Sequence, residues 1–249
     1  MHHFRLALDA QMLKLRRTPS VLIVLAAPAL VNAVLLLILA TRAGNATMDD
    51  PWRTLAGSVG TIWVLFMLPL LVATVTALWA NFEHDGRPWQ HLFVLAVPRA
   101  SVYAAKWVLS LALVTASTLL LGSFSVLVGA IVHLLLPGLG FPWPPPIGQI
   151  ATQMAIMCLA SGFVVTIHTW VSLRFSSMFL ALGVGLAFLV ANLFVSCSAT
   201  LSRFFPWSLP LRVHAMPGVS VLEAVLYSIL GGAVVAVVGT WDPLRRDHL

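Results

Sequence analysis

The chain has 249 residues, of which 60% are hydrophobic and only 9% charged, with a net charge of +6. A soluble domain runs nearer a quarter charged, so the composition excludes a soluble globular protein and points to an integral membrane protein. The excess of Lys and Arg is no nucleic-acid footprint, because no basic stripe with interleaved aromatics lies on a soluble face.

In chain order, residues 2–18 come first and are polar and basic. Phe4, Leu8 and Leu15 share one helical arc, with Lys14 and Arg17 away from it. That pattern predicts a short helix lying in the membrane interface. Six apolar runs follow, at about 20–41, 57–81, 101–136, 149–173, 177–197 and 219–241. A membrane-crossing helix needs roughly 20 apolar residues for about 30 Å of hydrocarbon. The prediction is therefore an all-α, six-span protein forming one domain over 1–249, since no segment outside the spans is long enough for its own core. The first run starts too late, and ends without a small-x-small site, so it reads as a retained span rather than a cleaved signal.

The third run is long. At 1.5 Å per residue it would extend about 50 Å, which requires a tilt, a projection beyond the bilayer, or a break near Gly122 or Gly129. With no polar turn inside it, one helix is the reading kept. Cys158 and Cys197 fall in or beside apolar runs and read as small buried hydrophobes, not a disulfide or metal pair.

The basic residues orient this layout. With both termini inside, the inner side carries Arg5, Lys14, Arg16, Arg17, Arg87, Arg99, Lys106, Arg174, Arg245 and Arg246. The outer side carries Arg42, Arg53, Arg203 and Arg212. The positive-inside rule favours that orientation. Of the outer connections, Pro137 to Pro146 reads as stiff and extended. Ser196 to Gly218 is too polar and proline-broken to span, yet aromatic, and suits a pair of short re-entrant helices in the outer leaflet. No internal repeat is evident, so an inverted-repeat secondary transporter is not supported.

The inner loop FEHDGRPWQHLFVLAVPR, residues 82–99, concentrates charge in a chain that has little of it. Asp85 and Gly86 are placed to cap a helix and Pro88 to occupy its first turn. Trp89, Leu92, Phe93 and Ala96 form one apolar stripe, and Pro98 stops it. The result is a short amphipathic helix that either grips a partner or floats on headgroups.

Within the spans, ionisable and amide groups are few. Glu223, His168 and Asn192 are the candidates for lining a substrate route. The competing reading gives them hydrogen bonds to neighbouring helices, as for Asn32, or contact with headgroup water. So few buried charges argue against an ion-coupled pump. No HExxH, GxSxG or GxxxxGK[ST] motif is present, so the chain carries no recognisable catalytic constellation and no phosphate loop.

The run Glu83, Gly86, Trp89, Leu92, Pro98, Arg99 and Lys106 resembles the coupling region of membrane subunits of type-2 ABC exporters. The six spans, the N-terminal interfacial helix and the outer hairpin before the last span are similar to that family as well. The small size and lack of a large outer domain resemble permeases protecting bacteria against lantibiotics or bacitracin. The resemblance implies a permease in the bacterial cytoplasmic (inner) membrane that exports an amphiphile such as an antimicrobial peptide or a lipid-like molecule. It implies a separate ABC ATPase, in two copies, that binds ATP and Mg, and a second permease chain, identical or homologous. This chain itself would hold no cofactor. Carried over by position, Glu83, Asp85, Gly86, Trp89 and Arg99 would form the ATPase-coupling surface. The competing function is a membrane-embedded accessory protein that uses the same loop to hold a partner and transports nothing.

Overall fold

The computed structural model describes residues 2–15, 18–42, 48–84, 99–175, 177–216 and 218–245. Ten α-helices make up the described chain. They are α1 (His2–Leu15), α2 (Ser20–Thr41), α3 (Pro51–Ile62), α4 (Leu68–His84), α5 (Arg99–Leu135), α6 (Ile147–Arg174), α7 (Met178–Val195), α8 (Ala199–Phe204), α9 (Leu209–Ala215) and α10 (Val221–Arg245). Six stretches are long and apolar enough to cross a membrane, with α3 and α4 together forming the second.

The second span begins at Pro51, not near residue 57 as its apolar run implied. The cause is a cap. The Asp50 carboxylate accepts from the Arg53 backbone N–H at 3.0 Å, and Pro51 occupies the first turn, where its missing N–H costs nothing. Between α3 and α4 the helix widens into one π-helical turn, Trp63–Met67. Pro69 explains it. Its nitrogen cannot bond the Leu65 carbonyl four residues back, and the Leu68 N–H reaches instead to the Trp63 carbonyl. Trp63 itself is fully buried and donates from Nε1 to Thr118 Oγ1 of α5 at 3.3 Å.

This second span is the centre of the bundle. It touches α2, α5, α6, α7 and α9, and Val59, Trp63, Val64, Leu68, Val72 and Val75 lie in the main core. Around it, α2 packs on α5, α7 on α4, and α10 on α6. Polar stitches join the outer pairs. Asn32 of α2 donates to the Leu121 carbonyl at 3.3 Å and accepts from Ser125 at 3.0 Å. Ser228 of α10 donates to Leu159 O at 2.8 Å and accepts from Phe163 N–H at 3.1 Å. Those are the two α6 groups that would otherwise pair with each other along the helix.

The third span is one unbroken helix of 37 residues. Its glycines serve close approach, not a break. A Cβ on Gly129 would collide with the Trp52 indole, and one on Gly122 would meet the Met154 side chain at 2.8 Å. The connection after it is not the extended strap expected from its prolines. Gly140 adopts a left-handed φ of 75°, open to glycine at no steric cost, and the chain turns back to bury Leu139 and Phe141. Phe141 meets Trp52 edge-on at 5.2 Å, while Trp52 Nε1 donates to Pro142 O at 2.8 Å. N-terminal α1 lies against α5 with Ala7 and Gln11 inside.

Candidate functional site

Two regions emerge from the fold, at opposite ends of the bundle. The first is the junction of α4 and α5. Helix α4 closes at His84 with Glu83 in its last turn, and α5 opens at Arg99. The coupling helix expected between them, with Asp85, Gly86 and Trp89, lies outside the described residues.

The second region is the hairpin α8–α9, between the fifth and sixth spans. Its sequence dictates its shape. The Ser198 hydroxyl accepts from Leu201 N–H at 3.3 Å and starts α8. Phe205 is extended, and Pro206 then opens a single 3₁₀ turn, Pro206–Ser208, which leads into α9. Arg212 of α9 closes the hairpin on itself. Its Nη1 donates to Ala199 O and to Ser202 Oγ, both at 2.9 Å. A guanidinium satisfied in this way can sit nearly buried without a carboxylate beside it.

All three route candidates read from the sequence touch this hairpin, each at a different place. Asn192 of α7 is fully buried, and its Oδ1 accepts from Ser208 Oγ at 2.6 Å and from Ser196 Oγ at 3.2 Å. His168 of α6 is fully buried with its ring edge-on to Trp207, centroids 5.5 Å apart. Trp207 in turn stacks on Phe188 of α7 at 4.2 Å. Glu223 of α10 stands at the rim and accepts from Arg203 Nε at 2.6 Å. That bond and the carboxylate charge raise the Arg203 pKa above its ordinary value. The three residues surround the hairpin but do not converge on one cavity.

The seat beneath Trp207 is only partly satisfied. Among the described residues, both ring nitrogens of His168, Asn192 Nδ2 and Trp207 Nε1 are buried without a hydrogen-bond partner. Such groups carry a desolvation cost that an apolar seat would not. The hairpin is therefore seated by the Ser208–Asn192 hydrogen bond and by Trp207, which stacks on Phe188 and meets His168 edge-on.

On its other side the hairpin is fastened by a residue the sequence reading missed. The His214 ring of α9 lies between α3 and α6, where Gly60 leaves it room. Its Nε2 is 3.0 Å from the Gly57 carbonyl, which can only accept, so Nε2 carries the proton. Its Nδ1 is then an acceptor for the Gln153 amide at 2.6 Å. In this arrangement the imidazole is the neutral Nε2–H tautomer. Burial pushes its pKa below the ordinary 6.5, with the Gly57 bond acting the other way. Beside it opens a pocket of about 510 Å³, walled by the first turns of α6 and by α9. The signal available in the sequence was Gln153, an amide inside an apolar run, but its partner lies 61 residues away. Among the described residues no group of three or more His, Cys, Asp or Glu could hold a metal ion.

The model of a family described as ABC-2 family transporter protein matches residues 7–192, about three quarters of the sequence. No curated protein and no solved structure matches it.

Proposed function

Because the chain belongs to the ABC-2 transporter family, we propose that it is the permease of an ATP-driven exporter that moves an amphiphile, an antimicrobial peptide or lipid-like molecule, out of the cell or membrane. ATP and Mg bind a separate ATPase, present in two copies, and a second permease chain completes the pathway. The permease sits in the bacterial cytoplasmic membrane with both termini inside. Members protecting bacteria against lantibiotics or bacitracin are the nearest functional analogy.

The observation that carries this reading is the family match, which runs through five of the six spans and across the 82–99 loop. In this reading coupling runs along the second span. Glu83, Asp85, Gly86, Trp89 and Arg99 form the surface that the ATPase grips. A push there enters α4, the second half of the most buried span. That span carries the π-helical turn, a feature that kinks a helix locally and recurs at functional sites. Above the turn, α3 holds the hairpin through Gly57 and His214. A rigid-body shift started at one end of the second span thus reaches the hairpin at the other.

Mild-detergent recovery of the tagged chain from its native membrane tests the proposal. A Walker-motif ATPase should come with the wild-type protein and be lost with Glu83→Ala or Trp89→Ala, while both variants still insert in the membrane. Recovery of no ATPase, under conditions that preserve a known ABC complex, would leave the accessory-protein reading instead.

A further inference from the structure

We propose that the pocket between α6 and α9 binds the head of an amphiphile that carries hydroxyl or amide groups and no charge. The inference deepens the permease reading and rests on it only in treating the ligand as cargo.

The pocket is of ordinary ligand size. Its 510 Å³ falls within the roughly 300–1,000 Å³ usual for small-molecule sites. Its lining is graded along α6. Gln149, Thr152 and Gln153 come first, with His214 facing them from the hairpin. Ile156 and Met157 follow, with Val213 opposite. From residue 149 to 157 the helix rises about 12 Å, nearly the half-thickness of about 15 Å of the hydrocarbon core. A polar head therefore finds polar partners at the mouth while its chain meets apolar side chains deeper in. The flanks of α6 offer the chain a way out, because Ile147 and Leu159 are exposed apolar residues on either side of that stretch.

The charge balance selects among heads. No lining side chain is an acid or a permanent cation. His214 donates to the Gly57 carbonyl and meets the Gln153 amide, and its burial disfavours the charged form. The two hairpin cations are committed elsewhere, Arg203 to Glu223 and Arg212 to Ala199 O and Ser202 Oγ. A phosphate or carboxylate would lose its hydration here and gain no counter-charge. A sugar hydroxyl or a peptide amide both donates and accepts, as does the Gln149 carboxamide, while Thr152, which donates to Gly148 O, and Gln153, which meets His214, keep oxygens that accept.

The test uses the full-length chain in phosphatidylcholine nanodiscs and three photoreactive lipids sharing one diazirine chain. Their heads are a monoglucoside, an uncharged dipeptide amide and phosphatidylglycerol. The expected result is saturable labelling within residues 148–157 or 209–215 by at least one uncharged lipid, and none by phosphatidylglycerol. The head that saturates identifies a carbohydrate or a peptide source. Gln149 and Thr152 are exposed, so Gln149→Leu and Thr152→Val should keep the wild-type melting temperature. At least one should raise the half-saturating concentration roughly two- to tenfold, the scale of one lost hydrogen bond. Equal saturable labelling by phosphatidylglycerol, no saturable labelling at all, or no effect of either variant would overturn the proposal. The assay needs no ATPase. Failure to recover an ATPase would remove the permease reading and leave this site standing, whereas unsaturable labelling beside an intact ATPase complex would do the reverse.

Discussion

The spans Pro51–Leu78 and Met178–Val195 are similarly apolar, yet 56% of the most apolar stretch of the first is buried inside the bundle against 17% of the second. Apolarity puts both in the membrane. It does not say which faces protein. What distinguishes them is small and polar detail. The second span carries Gly60 beneath the His214 ring, Trp63 bonded to Thr118, and the π-helical turn before Pro69. The fifth span buries only Ala181, Gly185 and Asn192 on a single narrow face and turns Phe179, Leu186, Val190 and Phe194 outward. Lipid tails are as apolar as leucine, so helix position is set by close approach and by hydrogen bonds rather than by oiliness.

The largest effects should therefore fall on the central span. Gly60→Val forces a side chain into the His214 ring and should lower thermal stability by about 1–3 kcal/mol, the usual cost of overpacking. Leu186→Ala, at a half-exposed position on α7, should stay within about 0.5 kcal/mol. Thermal unfolding of the purified variants measures both. An equal loss at Leu186 would break the comparison and mean that a second chain covers that face.

A smaller effect tests the fastening between the central span and the hairpin. The folded protein holds His214 with a pKa below the ordinary 6.5, so the unfolded chain binds its proton more readily. Stability from this group is complete above about pH 6.5 and is lost as pH falls below it toward the folded value. The melting temperature of the wild type should drop between pH 7.5 and 5.5 by more than that of His214→Gln. Parallel curves would show that the imidazole is not what fastens the hairpin. The smallest effect belongs to the rim. Arg203 and Glu223 are both partly exposed, and exposed ion pairs contribute little. Arg203→Gln should leave the melting temperature unchanged within measurement error.

The six spans were legible because each is a long apolar run, and no other structure satisfies its backbone in lipid. Their ends were less legible, because a side-chain cap such as Asp50 before the second span lies outside the apolar run. The start of the second span was obscured because Trp52 and Arg53 make its first turn look like a loop. Trp52 is buried against Gly129 and Phe141, both more than 70 residues away in the chain. Pro69 was the visible mark of the π-helical turn, but a proline alone does not say whether a helix breaks, kinks or widens. Within the candidate site, Asn192, His168 and Glu223 stood out as polar groups in apolar surroundings. The connection Ser196–Gly218 stood out as well, as a pair of short helices, but that Ser208, Trp207 and Arg203 would meet these three residues did not, because those contacts join different helices. His214 and Gln153 act as a pair, and a pair separated by 61 residues is set by the fold.

The central claim is that the 82–99 loop couples this permease to an ATPase. A photoreactive residue in place of Gln90, activated in the native membrane, tests it most directly. The account predicts a cross-link to an ATP-binding chain that disappears when Trp89→Ala is added. Cross-links to lipid alone, in membranes where an ABC ATPase is present, would contradict it.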